Sequence, residues 1–274
     1  MAKVVDCITY FDEDMLLDFR LNVLNDYVSK FVIVEAKEDH QGNKKSLNFD
    51  FNNFPKFKDK IIYLVQEKLI EDSNIKLPKN WWKHHLKDQS QRNYILNGIK
   101  KFEENDWIII SDLDEITNPK VIRNFNPKFK YSVFEQKFFY YKFNLISSNN
   151  NWYGSRICVK NFLKSPQWLR NQKVKKKFIG IFDRGIKVIK NGGWHFSYLM
   201  SPIKIKKKIE SFAHSEYNKE EYKNLKNIES CIKNGTDLYN RKLNFEKILI
   251  TKEFPSYLCE NKDKYANWIA KWKK

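Results

Sequence analysis

The stretch Trp-Ile-Ile-Ile-Ser-Asp-Leu-Asp-Glu-Ile at 107–116 constrains the fold more than any other part of the chain. A run of large apolar residues cut off by three acids reads as a strand buried on both faces, as a parallel sheet covered by helices requires. Its carboxyl end then carries Asp112, Asp114 and Glu115. Ligands of open α/β sheets sit beyond the carboxyl ends of the strands, so these acids face a crevice. Carboxylates crowded there repel one another unless a cation joins them, and Mg²⁺ or Mn²⁺ bridging to substrate phosphates is the natural partner. The alternative is that Asp112 and Asp114 only end the strand and cap a helix starting near Pro119.

The flanking segments extend the α/β pattern. Residues 4–11 read as a strand; Leu17, Leu21, Leu24 and Val28 then recur at helical spacing behind Asp14 as N-cap, and residues 31–34 form a second buried strand. This is a βαβ unit with a right-handed crossover. Glu35, at the end of its second strand, is either a hydrogen-bond acceptor for a ribose or base, or a solvated strand end. Residues 61–65 give a third strand, and 66–83, with Pro78 and the pair Trp81-Trp82, an irregular recognition loop. A helix over 87–104 brings Arg92 toward the acids, where it is either a diphosphate partner or a solvated side chain. Beyond a short helix after Pro119, residues 131–141 read as one or two antiparallel strands, 147–152 as a turn, and 156–159, 178–182 and 186–189 as short strands. From Pro202 the chain turns basic and helical, with one helix ending within 211–216 and another over 220–234 closed by Gly235; Trp268 and Trp272 form a docking stripe. The expected organisation is a catalytic domain over 1–200 and a helical extension over 201–274 packed on it.

A second informative stretch is Gly192-Gly193-Trp194-His195-Phe196-Ser197-Tyr198. Paired glycines let the backbone approach a partner closely, which makes Gly193 a ligand-binding candidate. Acids with a distant imidazole suit Mn²⁺, so His195 is a candidate ligand alongside Asp112 and Asp114; the competing reading is a satisfied core histidine.

The 51 basic and 33 acidic residues give a formal charge of +18, which implies acidic partners such as nucleotides, phosphorylated lipids, an anionic membrane or nucleic acid, or else reflects in part the Lys- and Asn-rich composition of an AT-rich genome. The four cysteines are widely spaced without a CxxC or Cys/His cluster, so neither a zinc site nor a dense disulfide frame is indicated and reduced thiols are expected. No apolar run approaches the ~18 residues of a membrane span, and the first strand begins at once. A cytoplasmic protein, in peripheral contact with an anionic membrane at most, is the expectation.

Taken in order, residues 6–11, 31–35, Gln91-Arg92-Asn93, 110–116 and 193–198 resemble glycosyltransferase family 17. The likeness continues through Ser201-Pro202, Lys208 and Ser211 to Pro255-Ser256-Tyr257-Leu258. The best-known animal member adds the bisecting N-acetylglucosamine to the β-mannose of N-glycans. The resemblance implies a GT-A-like, Rossmann-type mixed sheet flanked by helices, a nucleotide-sugar donor led by UDP-N-acetylglucosamine, a glycan or glycolipid acceptor, and inversion at the anomeric carbon. It also implies that His195 joins the Asp-x-Asp motif at the cation; on that reading Asp114, His195 and Asp112, the last directly or through water, hold Mn²⁺ or Mg²⁺, and Arg92 is the candidate for a further diphosphate contact. Inversion needs a base, for which Glu216 is the first candidate and Glu115 and Glu135 are rivals. The sequence lacks the animal enzymes' anchor and stem and reads differently at His214-Ser215-Glu216, which points to a bacterial or viral glycan.

Two other classes compete. A haloacid-dehalogenase-type phosphatase also places Asp-x-Asp at a strand end, but wants Thr or Val where this chain has Ile116, and puts the motif on its first strand. A nucleic-acid-binding module would explain the charge and not the buried acidic strand, whose carboxylates repel phosphate.

Overall fold

Parallel strands must be joined by crossovers, and the first hundred residues supply them. In the computed structural model, which describes residues 2–71, 84–174, 186–241 and 243–271, β1 (Val4–Thr9) runs through α1 (Asp14–Leu24) to β2 (Lys30–Ala36). Next come β3 (Ile61–Gln66), the helices α2 (His84–Asn93) and α3 (Leu96–Ile99), and β4 (Trp107–Ser111). These four strands lie side by side in the order β3-β2-β1-β4, all parallel. Ile108, Ile109 and Ile110 of β4 are fully buried; Ile109 joins the core under α1, and its two neighbours the core that holds Ile95 and, from α3, Ile99. Burial on both faces is why this strand reads as an unbroken apolar run.

The second half of the sheet is antiparallel. After the three-residue β5 (Glu115–Thr117) come β6 (Tyr131–Tyr140), β7 (Leu145–Trp152) and β8 (Arg156–Val159), then the short α4 (Pro166–Arg170) and β9 (Lys187–Ser197). β8 pairs antiparallel with β4 and with β6, and β6 also pairs antiparallel with β7. β9 lies between β6, to which it is parallel, and β5, to which it is antiparallel. Beyond β9, α5 (Pro202–Ser211), α6 (Glu220–Lys223) and α7 (Leu225–Asn234) pack Ile205, Ile209 and Ile228 against Tyr140 and Tyr141. The last segments, β10 (Glu246–Lys247) on the edge of β7 and α8 (Ser256–Glu260) against α1, return to the main core, where Trp268 is partly buried with Lys142 over its ring.

Several expectations need correcting. The helix over 87–104 is two helices, because the chain turns at Tyr94 and Ile95 to lay Gly98 on the sheet, where an added Cβ would lie 2.5 Å from Val32 Cγ1. Residues 147–152 are not a turn but most of β7; its Ser/Asn composition is poor for a strand, and pairing of β7 with β6 at Ile146 and at Asn151 and Trp152 overrides it. Residues 131–140 form one strand, the first of the two readings given for them, whereas the short strand expected at 186–189 extends over 187–197 through both glycines. The helix over 220–234 breaks at Asn224, whose side chain caps α7 by accepting from Asn227 N, while Gly235 (φ +66°) closes it. Asp14 is inside the first turn of α1, and its carboxylate takes the Tyr10 hydroxyl instead of a helix N–H. The region 201–274 is not purely helical, since it contributes β10 to the sheet. Pro78, Trp81, Trp82, the strand expected at 178–182 and Trp272 lie outside the described residues. All four cysteines are free. Among the described residues no helix is long and apolar enough to cross a membrane.

Candidate active site

In an open sheet the crevice opens where strand order reverses, which here is between β1 and β4. A cleft of about 310 Å³ lies there, lined by Tyr10 and Phe11 after β1, by Asp112, Leu113 and Asp114 after β4, and by His195 and Ser197 of β9. Its remaining wall includes Asp88 and Arg92 of α2, Lys208 of α5 and the turn 211–214.

The acidic turn is held from beneath by a fully buried arginine. Arg20 of α1 pairs with Asp6 in the middle of β1 through Nε–Oδ2 at 2.7 Å and Nη2–Oδ1 at 2.6 Å. Its remaining Nη1 donates to the backbone carbonyls of Asp112 (3.3 Å), Leu113 (3.2 Å) and Glu115 (2.7 Å). Three carbonyls turned toward one guanidinium fix the path of the turn, and Asp6 neutralises the charge that does it. The structure thus decides against the capping reading: the short 3₁₀ helix Pro119–Asn124 is capped by Asn118, whose side chain accepts from Lys120 N.

Above the turn the three acids separate. Asp112 accepts from Arg92 Nη2 at 3.0 Å on one oxygen and from Arg170 Nη2 at 2.9 Å on the other. Burial opposes its charge, but Arg170 and then Arg92 outweigh it and hold the carboxyl well below the usual range. Glu115 is fully buried, and its oxygens take Arg170 Nη1 at 2.5 Å and Nη2 at 3.0 Å, Trp152 Nε1 at 2.7 Å and Asp112 N at 3.0 Å. Asp114 alone faces the cleft without an arginine, its oxygens 3.5 Å from His195 Nε2 and 3.6 Å from Lys208 Nζ. Burial again opposes its charge, and Lys208 with His195 keeps its carboxyl below the ordinary value.

His195 reaches this position by register. β5 and β9 pair Glu115 with His195, and Phe196 N donates to Asp114 O at 2.9 Å. The imidazole lies between the rings of Trp152 (centroids 4.4 Å) and Phe138 (5.1 Å). Its Nδ1 is buried without a hydrogen-bond partner among the described residues. Asp114 and His195 therefore fit a single cation. Both oxygens of Asp112 accept from arginines, so direct ligation by it competes with two ion pairs and a role through water is the one left open to it; stacking takes the place of the acceptor that usually orients a metal-bound imidazole.

The other candidates fall elsewhere. Arg92 lines the cleft, but its guanidinium is engaged by Asp88 in two bonds of 2.9 Å, by Asp112 and by Gln167. Glu35 is fully buried, and its carboxylate takes Lys45, the backbone of Asn48 (2.8 Å) and Phe49 (3.1 Å) and the Tyr63 hydroxyl (2.8 Å); it folds the 45–49 segment and offers no oxygen to a ribose. Gly193 approaches backbone, not a ligand: at φ +137° an added Cβ would overlap Ile116 O of β5. Glu135 bonds to Asn151 and Tyr153 and does not line the cleft. Glu115 has no free oxygen with which to act as a base. Glu216 stands behind the rim, 2.9 Å from Nδ1 of His214, which lines the cleft. His85 of α2 meets His214 edge-on with centroids 4.8 Å apart; burial and then that neighbour push its imidazole below the ordinary value.

Sequence reasoning missed Arg20, Asp6 and Arg170. Each sits in an ordinary helix or strand, and the partners of Arg20 lie 14 to 95 positions away. The one usable signal was an acid in the middle of an apolar strand, Asp6, which demands a buried cation. A search of curated proteins finds no match to this chain. The sequence model of glycosyltransferase family 17 matches residues 1–269, so that the acidic turn, the β9 histidine and the wall that closes over them all fall within one family's pattern: the chain belongs to glycosyltransferase family 17 and is a glycosyltransferase.

Proposed function

We propose that the cleft between β1 and β4 binds a nucleotide-sugar donor, with the diphosphate over the acidic turn, and that the sheet is of the GT-A type. The observation that carries this is the pairing of Asp114 with His195 at 3.5 Å in a cleft where the neighbouring Asp88 and Asp112 are neutralised by Arg92 and Arg170. Asp114 and His195 would hold Mn²⁺ or Mg²⁺, which when bound neutralises charge on the departing diphosphate. Lys208, beside Asp114, adds a second positive group at the same point. An inverting transfer needs a group to take the acceptor hydroxyl proton. With Glu115 fully engaged and Glu135 off the cleft, the Glu216–His214 pair at the rim is our candidate. UDP-N-acetylglucosamine is the leading donor by family resemblance, and a glycan or glycolipid the acceptor class.

Thermal shift of the full chain against UDP-, GDP- and CMP-sugars, each with and without Mn²⁺, tests the reading. A metal-dependent shift with a UDP-sugar, weakened by Asp114→Asn and by His195→Ala, is expected. Preference for a GDP- or CMP-sugar would overturn the donor assignment, and a shift undiminished in both variants would overturn the metal assignment.

A further inference from the structure

Outside the Asp114–His195 pair, one group among the described residues gathers metal-ligating atoms. His85, at the start of α2, and His214 and Glu216, on the turn after α5, bring one ligand atom each to within 4.8 Å of one another. The two segments are far apart in sequence and meet at the cleft rim. His85 is buried and anchored by its helix, whereas His214 and Glu216 are exposed, two residues apart, and already joined at 2.9 Å. A buried imidazole facing an exposed imidazole–carboxylate pair brings three donors close enough for side-chain rotation to draw them in toward the ~2.0–2.2 Å bonds of one ion.

We propose that His85, His214 and Glu216 form a binding site for a divalent transition-metal ion of the zinc class, separate from the Asp114–His195 position, whose occupation takes the His214–Glu216 pair proposed above as base out of service. Two imidazoles and one carboxylate are the donor set of three-ligand zinc sites that keep a fourth position open. Since His214 lines the cleft, that position opens toward it. The same set disfavours Mg²⁺, which takes oxygen ligands in octahedral geometry, so the two sites sort ions by chemistry. The motif His214-Ser215-Glu216, where the sequence departs from the animal pattern, supplies two of the three ligands.

The test is calorimetric titration of the full chain with Zn²⁺ alone, without nucleotide and with excess Mg²⁺ present, together with the visible spectrum of the Co²⁺-substituted protein. One equivalent of Zn²⁺ should bind despite the Mg²⁺ and, at a hundredfold excess over Kd, raise the melting temperature by about 5 °C. His214→Asn and Glu216→Gln change exposed side chains and should leave the metal-free melt unchanged. Each should lose at least the roughly tenfold affinity that even an outer partner of a metal ligand costs, while Asp114→Asn binds Zn²⁺ as the parent does. Failure to bind, binding unaltered by His214→Asn, loss of binding in Asp114→Asn, or a thiolate-to-Co²⁺ band abolished by Cys259→Ser would each overturn the proposal.

Discussion

Replacing Arg20 with Met tests whether the acidic turn is held in place by the buried guanidinium. The substitution keeps a long unbranched side chain but leaves Asp6, at zero exposure, without its two bonds from Nε and Nη2. Removing one partner of a buried ion pair costs about 3–5 kcal/mol. The three carbonyls that shared Nη1 lose their donor too, which places the loss at the upper end of that range. An unfolding entropy of ~2.1 cal/mol/K per residue amounts to about 0.6 kcal/mol/K for a chain of this length, so the melting temperature should fall by roughly 5–9 °C. The companion variant Arg20→Met/Asp6→Leu removes both charges and should recover much of that stability, because the uncompensated carboxylate accounts for most of the penalty. It should not recover nucleotide binding, since nothing then draws the carbonyls of residues 112, 113 and 115 together. Urea denaturation and calorimetric titration with UDP and Mn²⁺ on the two variants separate these effects. An Arg20→Met protein as stable as the parent, or a double variant that binds nucleotide normally, would refute the reasoning.

Three further outcomes are expected. Arg170→Met leaves the buried Glu115 facing only Trp152 and a backbone N–H, and should cost about 3–5 kcal/mol in urea melts together with a loss of nucleotide affinity. Asp112 has a depressed folded-state pKa, so its contribution to stability is complete above the unfolded value near ~3.9 and is lost as pH falls through the lower folded value; the stability gap between parent and Asp112→Asn should be widest above about pH 5 and narrow on acidification, and a gap that widens toward pH 3 contradicts this. Gly193→Ala should destabilise by more than about 1 kcal/mol, because alanine at φ +137° is strained and its Cβ overlaps Ile116 O; a melting temperature equal to the parent's would show that β5 and β9 can separate freely.

The order of strands and helices was legible because the core writes itself in local periods. The apolar run at 107–111 and the spacing of Leu17, Leu21 and Leu24 each report burial directly. β7 was not legible, since Ser147, Ser148 and Asn150 are poor strand formers carried by a segment whose pairing to β6, at Ile146 and at Asn151 and Trp152, is made with distant residues. At the site, Asp114 and His195 could be named from their motifs, but which acid keeps a free face could not. That depends on Arg170, which reaches Asp112 across 58 positions from a five-residue helix with no distinguishing local pattern. Glu35 misled for a related reason: its place at a strand end was visible, and the donors that consume its carboxylate, on residues 45–49 and 63, were not.

The place of β9 between β5 and β6 bears on how the protein is made. Both neighbours are synthesised some fifty or more residues before the strand that fills the gap, so the emerging chain holds two unsatisfied strand edges until residue 197 is free. Pairings of that sequence separation form late and slowly. Unpaired edges are templates for association with other chains. Release of the chain before β9 has been synthesised should therefore yield an aggregating product, and folding of the catalytic pocket should become resistant to protease in a single late step on the ribosome.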